Sequence, residues 1–194
     1  MQDQRQQEWE RKYRLTEEGR PEAARVLAEN AHLLPPEGRA LDLACGHGGN
    51  ALLLAAAGLD AEGWDYAEPA IENLKAEADR AGLALKGVVR DAVEQPPEPA
   101  SFDVIVVSRF LERSLCPALV SALRPGGLLF YQTFTRLKVQ GLGPRNPAFL
   151  LESNELLQLF AGLRVLVYRE EHDCGEHATG WRDQAMLVAQ RRAS

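Results

Sequence analysis

Three sets of residues in this chain have the types and spacing to do chemistry. The first is compact: an acid, Asp42, followed by Ala44-Cys45-Gly46-His47-Gly48-Gly49-Asn50. Gly46 and Gly48 let a backbone turn sharply and leave no side chain between it and a ligand. The second begins about 20 residues beyond the glycines with Asp65 and Tyr66. An acid so placed can accept from both hydroxyls of a ribose, and Tyr66 can pack on a base. The third is His172-x-Cys174-x-x-His177 followed by Arg182. These are three potential metal ligands without the fourth that a closed zinc site wants, so no metal is expected. His177 and Arg182 are the candidates there for proton handling or for contacting a substrate.

Elements must hold these groups in place. Leu41 and Leu43 predict a short buried strand before the glycines. Asn50 and the run Ala51 to Ala57 predict the helix after them, stopped by Gly58. A helix that opens onto a glycine loop at a strand end is a nucleotide pocket. Two cofactors fit it. Gly46-x-Gly48-x-x-Ala51 with Asp65 satisfies the dinucleotide fingerprint. Asp42 points the other way, because a phosphate cradle gains nothing from another anion. S-adenosylmethionine (SAM) has no phosphate and carries an ammonium and a sulfonium, which a nearby carboxylate favours.

The chain is long enough for one domain, 194 residues, with 45% apolar and 26% charged residues, an ordinary globular composition. A net charge of −6 argues against a nucleic-acid groove. No run approaches the roughly 18 apolar residues of a membrane span. The polar N-terminus has no signal-peptide core, and three cysteines without framework spacing suit a reducing, cytoplasmic setting. Residues 1–36 are expected to form a helical cap on the same domain as residues 37–194. Within the cap, Trp9 and Tyr13 share one helical face, placed to pack on the domain or to cover a cofactor. A helix is expected from Pro21, with Leu27, Ala31 and Leu34 facing the core.

Further strands are expected at Leu59 to Trp64, Leu83 to Val89, Phe102 to Val107 and after Gly127. Helices are expected at Pro69 to Ala81 and Cys116 to Leu123. This alternation is that of a doubly wound α/β fold around a parallel sheet. Ser108, Arg109 and Phe110 follow the fourth strand and fall on its ligand side. The loop Thr133 to Phe149 is long enough to be a functional wall on the acceptor side. A helix from Asn154 to Phe160 and strands Leu163 to Tyr168 and Ala185 to Ala189 complete the chain.

Taken in order, Asp42-x-x-x-Gly46-x-Gly48, Phe102-Asp103-Val104-Ile105, the turn Leu123-Arg124-Pro125-Gly126-Gly127 and the closing strand pair resemble the class I SAM-dependent methyltransferases from about residue 9 to 190. The resemblance implies a Rossmann-like, mostly parallel seven-stranded sheet with an antiparallel last strand. It implies SAM as cofactor and S-adenosylhomocysteine (SAH) as product. It assigns cofactor contacts to Trp9, Tyr13, Asp42, Ala44, Cys45, Gly46, Gly48, Asn50, Asp65, Tyr66, Ser108, Arg109 and Phe110, and adenine reading to Asp91 and Ala92. Asp103 starts its strand and is expected to be structural.

Three stretches resemble the small bacterial tellurite-resistance-type members of that family. They are Trp9-x-x-Lys12-Tyr13, Cys45-Gly46-x-Gly48-x-Asn50, and Pro147-Ala148-Phe149-Leu150-Leu151 leading to Asn154-Glu155-Leu156-Leu157. Relatives usually carry an acid and an arginine where this chain has His47 and Gly49. The implied function is methyl transfer to a small molecule, a soft nucleophile such as a thiol or a metalloid anion. An RNA or protein methyltransferase would need a basic face around Arg136, Lys138 and Arg145. A SAM-binding sensor without turnover and a dinucleotide oxidoreductase are further alternatives. Nothing in the sequence sets the oligomeric state.

Overall fold

The computed structural model describes residues 21–193, so Trp9 and Tyr13 lie outside the described residues. Seven strands form one sheet: β1 (Arg39–Leu43), β2 (Asp60–Asp65), β3 (Lys86–Val89), β4 (Phe102–Ser108), β5 (Leu123–Phe134), β6 (Arg164–Glu170) and β7 (Gln184–Gln190). Their spatial order is β3-β2-β1-β4-β5-β7-β6. The first five strands pair in parallel, and β7 runs antiparallel to both β5 and β6. This is the mostly parallel sheet with an antiparallel last strand that the resemblance implies. A dehydrogenase-type doubly wound sheet runs 3-2-1-4-5-6 without that insertion, so the closing hairpin separates the two cofactor readings.

Five α-helices are described: α1 (Arg25–Ala28), α2 (Gly49–Ala56), α3 (Glu68–Ala81), α4 (Cys116–Ala122) and α5 (Glu155–Leu159). The central strands are buried on both faces, and successive side chains serve different layers. Leu41, Leu43, Ile105, Val107, Leu129 and Tyr131 pack with Leu119 of α4 and with Leu156 and Phe160 around α5. Ala40, Val104, Val106, Phe130 and Val188 pack with Leu27 of α1 and Leu54 of α2. Cys45, Ala51, Ile71 and Leu74 form a smaller cluster beneath the glycine loop. Gly82 closes α3 at φ 65°, as its place after Ala81 predicts.

The first helix and the turn before the fifth strand depart from expectation. The helix from Pro21 shrinks to α1 and a 3₁₀ turn, Ala31–Leu33. The Ala24 and Val26 N–H groups donate instead to the side chains of Asn50 and Gln132, each at 2.8 Å. The Pro125-Gly126-Gly127 turn lies inside β5 rather than before it. Gly126 sits at φ 84°, and Arg191 pairs with the backbone of Gly126 and Gly127 at 2.9 Å.

Candidate active site

The C-terminal ends of β1, β2, β4 and β5 share one edge of the sheet. Because β7 is antiparallel to both neighbours, β6 also ends there. The glycine loop leaves β1 at that edge. Ala44, Gly46 and Gly48 all have positive φ, at 55°, 52° and 83°. Glycine bears this conformation without cost, and Ala44 bears it with strain. A Cβ on Gly48 would lie 2.1 Å from Leu74 Cδ1. The space that the missing side chain leaves is therefore filled by α3, and closeness to the helix is what makes glycine necessary at Gly48.

Two buried acids hold this loop. Asp65 accepts from the Gly46 N–H through Oδ2 and from the Ala67 N–H through Oδ1, both at 2.9 Å. Asp42, with no exposed surface, accepts from Asn50 Nδ2 and from the Ala51 N–H at 3.1 Å. Burial pushes the Asp42 carboxyl up to about 7, against the hydrogen bonds from Asn50 and Ala51, and the charge of Asp65 adds to the rise. Burial also raises Asp65, against its backbone hydrogen bonds. The Cys45 thiol is pushed well up by burial and by both acids, which makes it a filler rather than a nucleophile.

Asn50 joins three parts of the chain. Its Nδ2 donates to Asp42 and to Ser108 Oγ at the end of β4 (3.1 Å), and its Oδ1 accepts from Ala24 N–H. With both amide hydrogens and the carbonyl engaged, Asn50 acts as a positioning group. Arg109 follows Ser108 at φ 55°, exposed, with its N–H on the Gln132 carbonyl. The Phe110 carbonyl accepts from the Tyr131 hydroxyl. Asp91 Oδ1 accepts from the Val93 N–H at 2.8 Å and shapes the turn after β3, with Ala92 buried in it. Tyr66 stands next to Asp65 at the end of β2. The structure thus brings the cofactor candidates from Asp42 to Phe110 to one edge of the sheet.

Gly49, one of the two departures from the related motif, has a structural reason. A Cβ there would lie 2.1 Å from the Glu22 carbonyl oxygen. The N-terminal segment at Glu22 crosses the first turn of α2 there.

The acceptor-side candidates sit in the loop from β6 to β7. His177 is exposed, its Nε2 2.9 Å from the Asp173 carbonyl. Arg182, the other candidate, is buried in the same loop. It donates to the carbonyls of Thr179, His172 and Glu176 at 2.7, 2.9 and 2.6 Å, so its fork fastens the loop. Among the described residues, no group of three or more histidine, cysteine or acidic side chains is placed to hold a metal. Of the basic residues around the other loop, Arg136 pairs with Glu152, and Lys138 donates to the Pro144 carbonyl.

Sequence reasoning missed three anchors. Asp183 accepts from the N–H groups of Val139, Gln140 and Leu142 at 2.6–3.2 Å and pins the loop after β5. Arg113 binds Glu155 through both oxygens and the carbonyls of Ala148 and Leu150. Gln132 joins the Val26 N–H to Gln184. Of these only Gln132 carried a signal, a polar residue interrupting the apolar run of β5.

Residues 40–127 match the methyltransferase domain family. The chain is 29% identical over 106 residues to a ubiquinone biosynthesis O-methyltransferase of Idiomarina loihiensis, covering 50% of this chain and 43% of that protein. TehB from Haemophilus influenzae superposes with a TM-score of 0.69 at 22% identity, covering 88% of this chain and 63% of that one. A SAM-dependent methyltransferase of Methanosarcina mazei does so with a TM-score of 0.69 at 18% identity, covering 90% and 100%. The chain spans less than half the length of the curated relative and under two thirds of TehB. Among the described residues, no helix is long and apolar enough to cross a membrane. SAM is the cofactor named for the Methanosarcina mazei neighbour. The methyltransferase domain thus matches residues 40–127, a little under half of the chain, and the fold is the one shared with the SAM-dependent methyltransferase of Methanosarcina mazei.

Proposed function

We propose that this protein transfers the methyl group of SAM to a small-molecule soft nucleophile, a thiol or a metalloid anion, in the cytoplasm. One observation carries the cofactor reading. Asp42 and Asp65 are both buried beside the glycine loop, and each is raised by desolvation. Such a site repels a pyrophosphate and is relieved by a cation. That matches the ammonium and sulfonium of SAM and disfavours a dinucleotide.

In this reading Asp65 grips the ribose, using the lone pairs not engaged by Gly46 and Ala67. Asp91 and Ala92 read the adenine beside Tyr66. Ala44 to Gly48, Ser108, Arg109 and Phe110 line the amino-acid end. Asp42 and Asn50 set the position of that wall. Bound SAM supplies an electrophilic methyl carbon. The chain's part is to align the acceptor with it and exclude water, which can account for much of the rate. A soft nucleophile needs little acid–base help, and the resemblance to tellurite-resistance-type enzymes supports such an acceptor. The short match to a ubiquinone biosynthesis O-methyltransferase favours a second reading, a phenolic oxygen.

The test is calorimetric titration of SAM and SAH into wild type and Asp65→Asn, followed by SAH release across thiol, selenide, phenol and amine acceptors. Micromolar binding, weakened about tenfold in the variant, and turnover with the thiol or selenide are expected. Folded wild type that binds neither SAM nor SAH would overturn the reading.

A further inference from the structure

The reading above uses Arg109 only as part of a wall and gives its side chain nothing to do. β1 and β4 are neighbours in the sheet, yet the chain leaves β1 towards β2 and β3 before it returns to β4. The crevice between the C-terminal ends of β1 and β4 is therefore where the strand order reverses, the place at which open α/β sheets bind their ligands. Leu43 pairs with Val107, so Ala44 and Ser108 are the next residues on either side of that crevice. Arg109 is one residue further out. Asn50, in the first turn of α2, reaches Ser108 Oγ at 3.1 Å. Arg109 thus stands on the rim of the same pocket as Gly46 and Gly48.

The backbone around it is fixed from three sides. Ser108 receives the Asn50 amide, the Arg109 N–H donates to the Gln132 carbonyl at 2.8 Å, and the Phe110 carbonyl accepts from the Tyr131 hydroxyl at 3.0 Å. Between these ties Arg109 is held at φ 55°, a conformation that glycine enters freely and arginine only with strain. A side chain kept against such strain asks for a use, and strain of this kind gathers at binding sites. Arginines that build the fold have carboxylate partners: Glu62 for Arg39, Glu155 for Arg113, Asp103 for Arg124. Arg109 is exposed, and among the described residues no carboxylate or carbonyl takes its guanidinium.

Charge is divided across the crevice. Asp42 and Asp65 are buried on the β1 and β2 side, where the reading above places the cations of SAM. Arg109 brings the opposite sign on the β4 side. We infer that its guanidinium holds an anionic group of the methyl acceptor, so that the substrate is a thiol that also carries a carboxylate, or a metalloid oxyanion. This rests on the methyl-transfer reading and narrows it. A planar guanidinium takes a carboxylate or oxyanion through two parallel N–H donors. Such a grip sets the acceptor's orientation as well as its charge, and a transfer with little acid–base help depends on orientation. An exposed cation at the mouth also draws anions in from solvent. SAM and SAH carry a carboxylate of their own, the competing source of the same chemistry.

The experiment compares wild type, Arg109→Glu and Arg109→Gly on three alkyl thiols of one length that end in a carboxylate, a hydroxyl or an ammonium group. Comparing each variant with wild type on the same acceptor removes differences in thiol ionisation. Wild type should prefer the carboxylate thiol in kcat/KM. Arg109→Glu should lower the carboxylate-to-ammonium ratio of kcat/KM by about a hundredfold, chiefly through KM, and Arg109→Gly by about tenfold. Arg192, exposed just beyond the end of β7, lies at the opposite edge of the sheet. Arg192→Glu makes the same charge change there and should move the ratio less than about twofold. Equal shifts in Arg109→Glu and Arg192→Glu, or a wild type indifferent to the three end groups, would overturn the inference while leaving methyl transfer standing. So would a loss of SAM and SAH affinity in Arg109→Gly as large as its loss of ratio, which would put the guanidinium on the cofactor's carboxylate. A drop of more than about 5 °C in the Tm of Arg109→Gly would make the side chain structural and overturn it too. Wild type that methylates neither thiol nor selenide would remove the soft-nucleophile reading and this inference together.

Discussion

The two sides of the site are built by opposite means. On the cofactor side, a short loop is held by carboxylates from the adjoining strands, Asp42 and Asp65, which bind N–H groups only a few positions from the glycines. On the acceptor side, long loops are held by single remote anchors. Asp183 takes three N–H groups more than 40 residues away, and Arg182 gives to three carbonyls of its own loop. The cofactor side buries two carboxyls, which raises both, and it rests on the small apolar cluster of Leu74 and Ala51. The acceptor side can be released without opening the core. The first is tied to its own strands, and the second is tied loop to loop.

Four experiments can break or sharpen this contrast. The largest effect should come from Asp42, whose carboxyl is pushed up to about 7 from 3.8. The native state then holds a proton that the unfolded chain has released. Its contribution to stability is full below about pH 4 and is lost as pH rises through about 7. Denaturant titrations should show wild-type stability falling by up to about 1.4 kcal/mol per pH unit across that window. Asp42→Asn should flatten the slope, and an unchanged slope would sink the claim that burial raises Asp42. Next, Gly48→Ala should cost about 3 kcal/mol of global stability through positive φ and the clash with Leu74. Asp183→Ala should cost about 2 kcal/mol, spent locally. Hydrogen exchange should quicken at Val139, Gln140 and Leu142, with SAM affinity changed less than threefold. If exchange quickened across β1 as well, the two sides would not be separable. The smallest effect is expected from Gly49→Ala. It should displace the segment at Glu22 and raise proteolysis near Ala24, for a loss of about 1 kcal/mol from the Ala24 and Val26 hydrogen bonds.

The same contrast explains what could be read from the chain. The cofactor side was legible because its rules are local: a glycine pair after an apolar strand, an acid at the next strand end, a stop glycine after α3. Asp103 read as structural from its place at the start of β4, and it does hold the Arg39 N–H and Arg124. The strand β3 came out shorter than Leu83 to Val89 because an edge strand pairs on one side only, and register with β2 begins at Lys86. The employment of Arg182 and Asp183 could not be read, because their partners are chosen by how two loops meet in space. The segment before α1 misled for a related reason. Its composition favours helix, and Asn50 and Gln132 take the N–H groups that a helix would use.

The position of β7 sets an order on biosynthesis. β7 leaves the ribosome after the other six strands of the sheet, yet it lies between β5 and β6. Until it emerges, β6 has no neighbour to pair with, and β5 presents an open edge. Val165 and Leu166 of β6, still 44% and 37% exposed in the finished fold, wait beside it. A nascent chain stalled before residue 184 is therefore a sheet of five strands with a sticky margin. A premature stop there removes the middle of the acceptor-side sheet rather than its rim. Chaperone capture of stalled chains should be strongest between the emergence of Glu170 and that of Gln190.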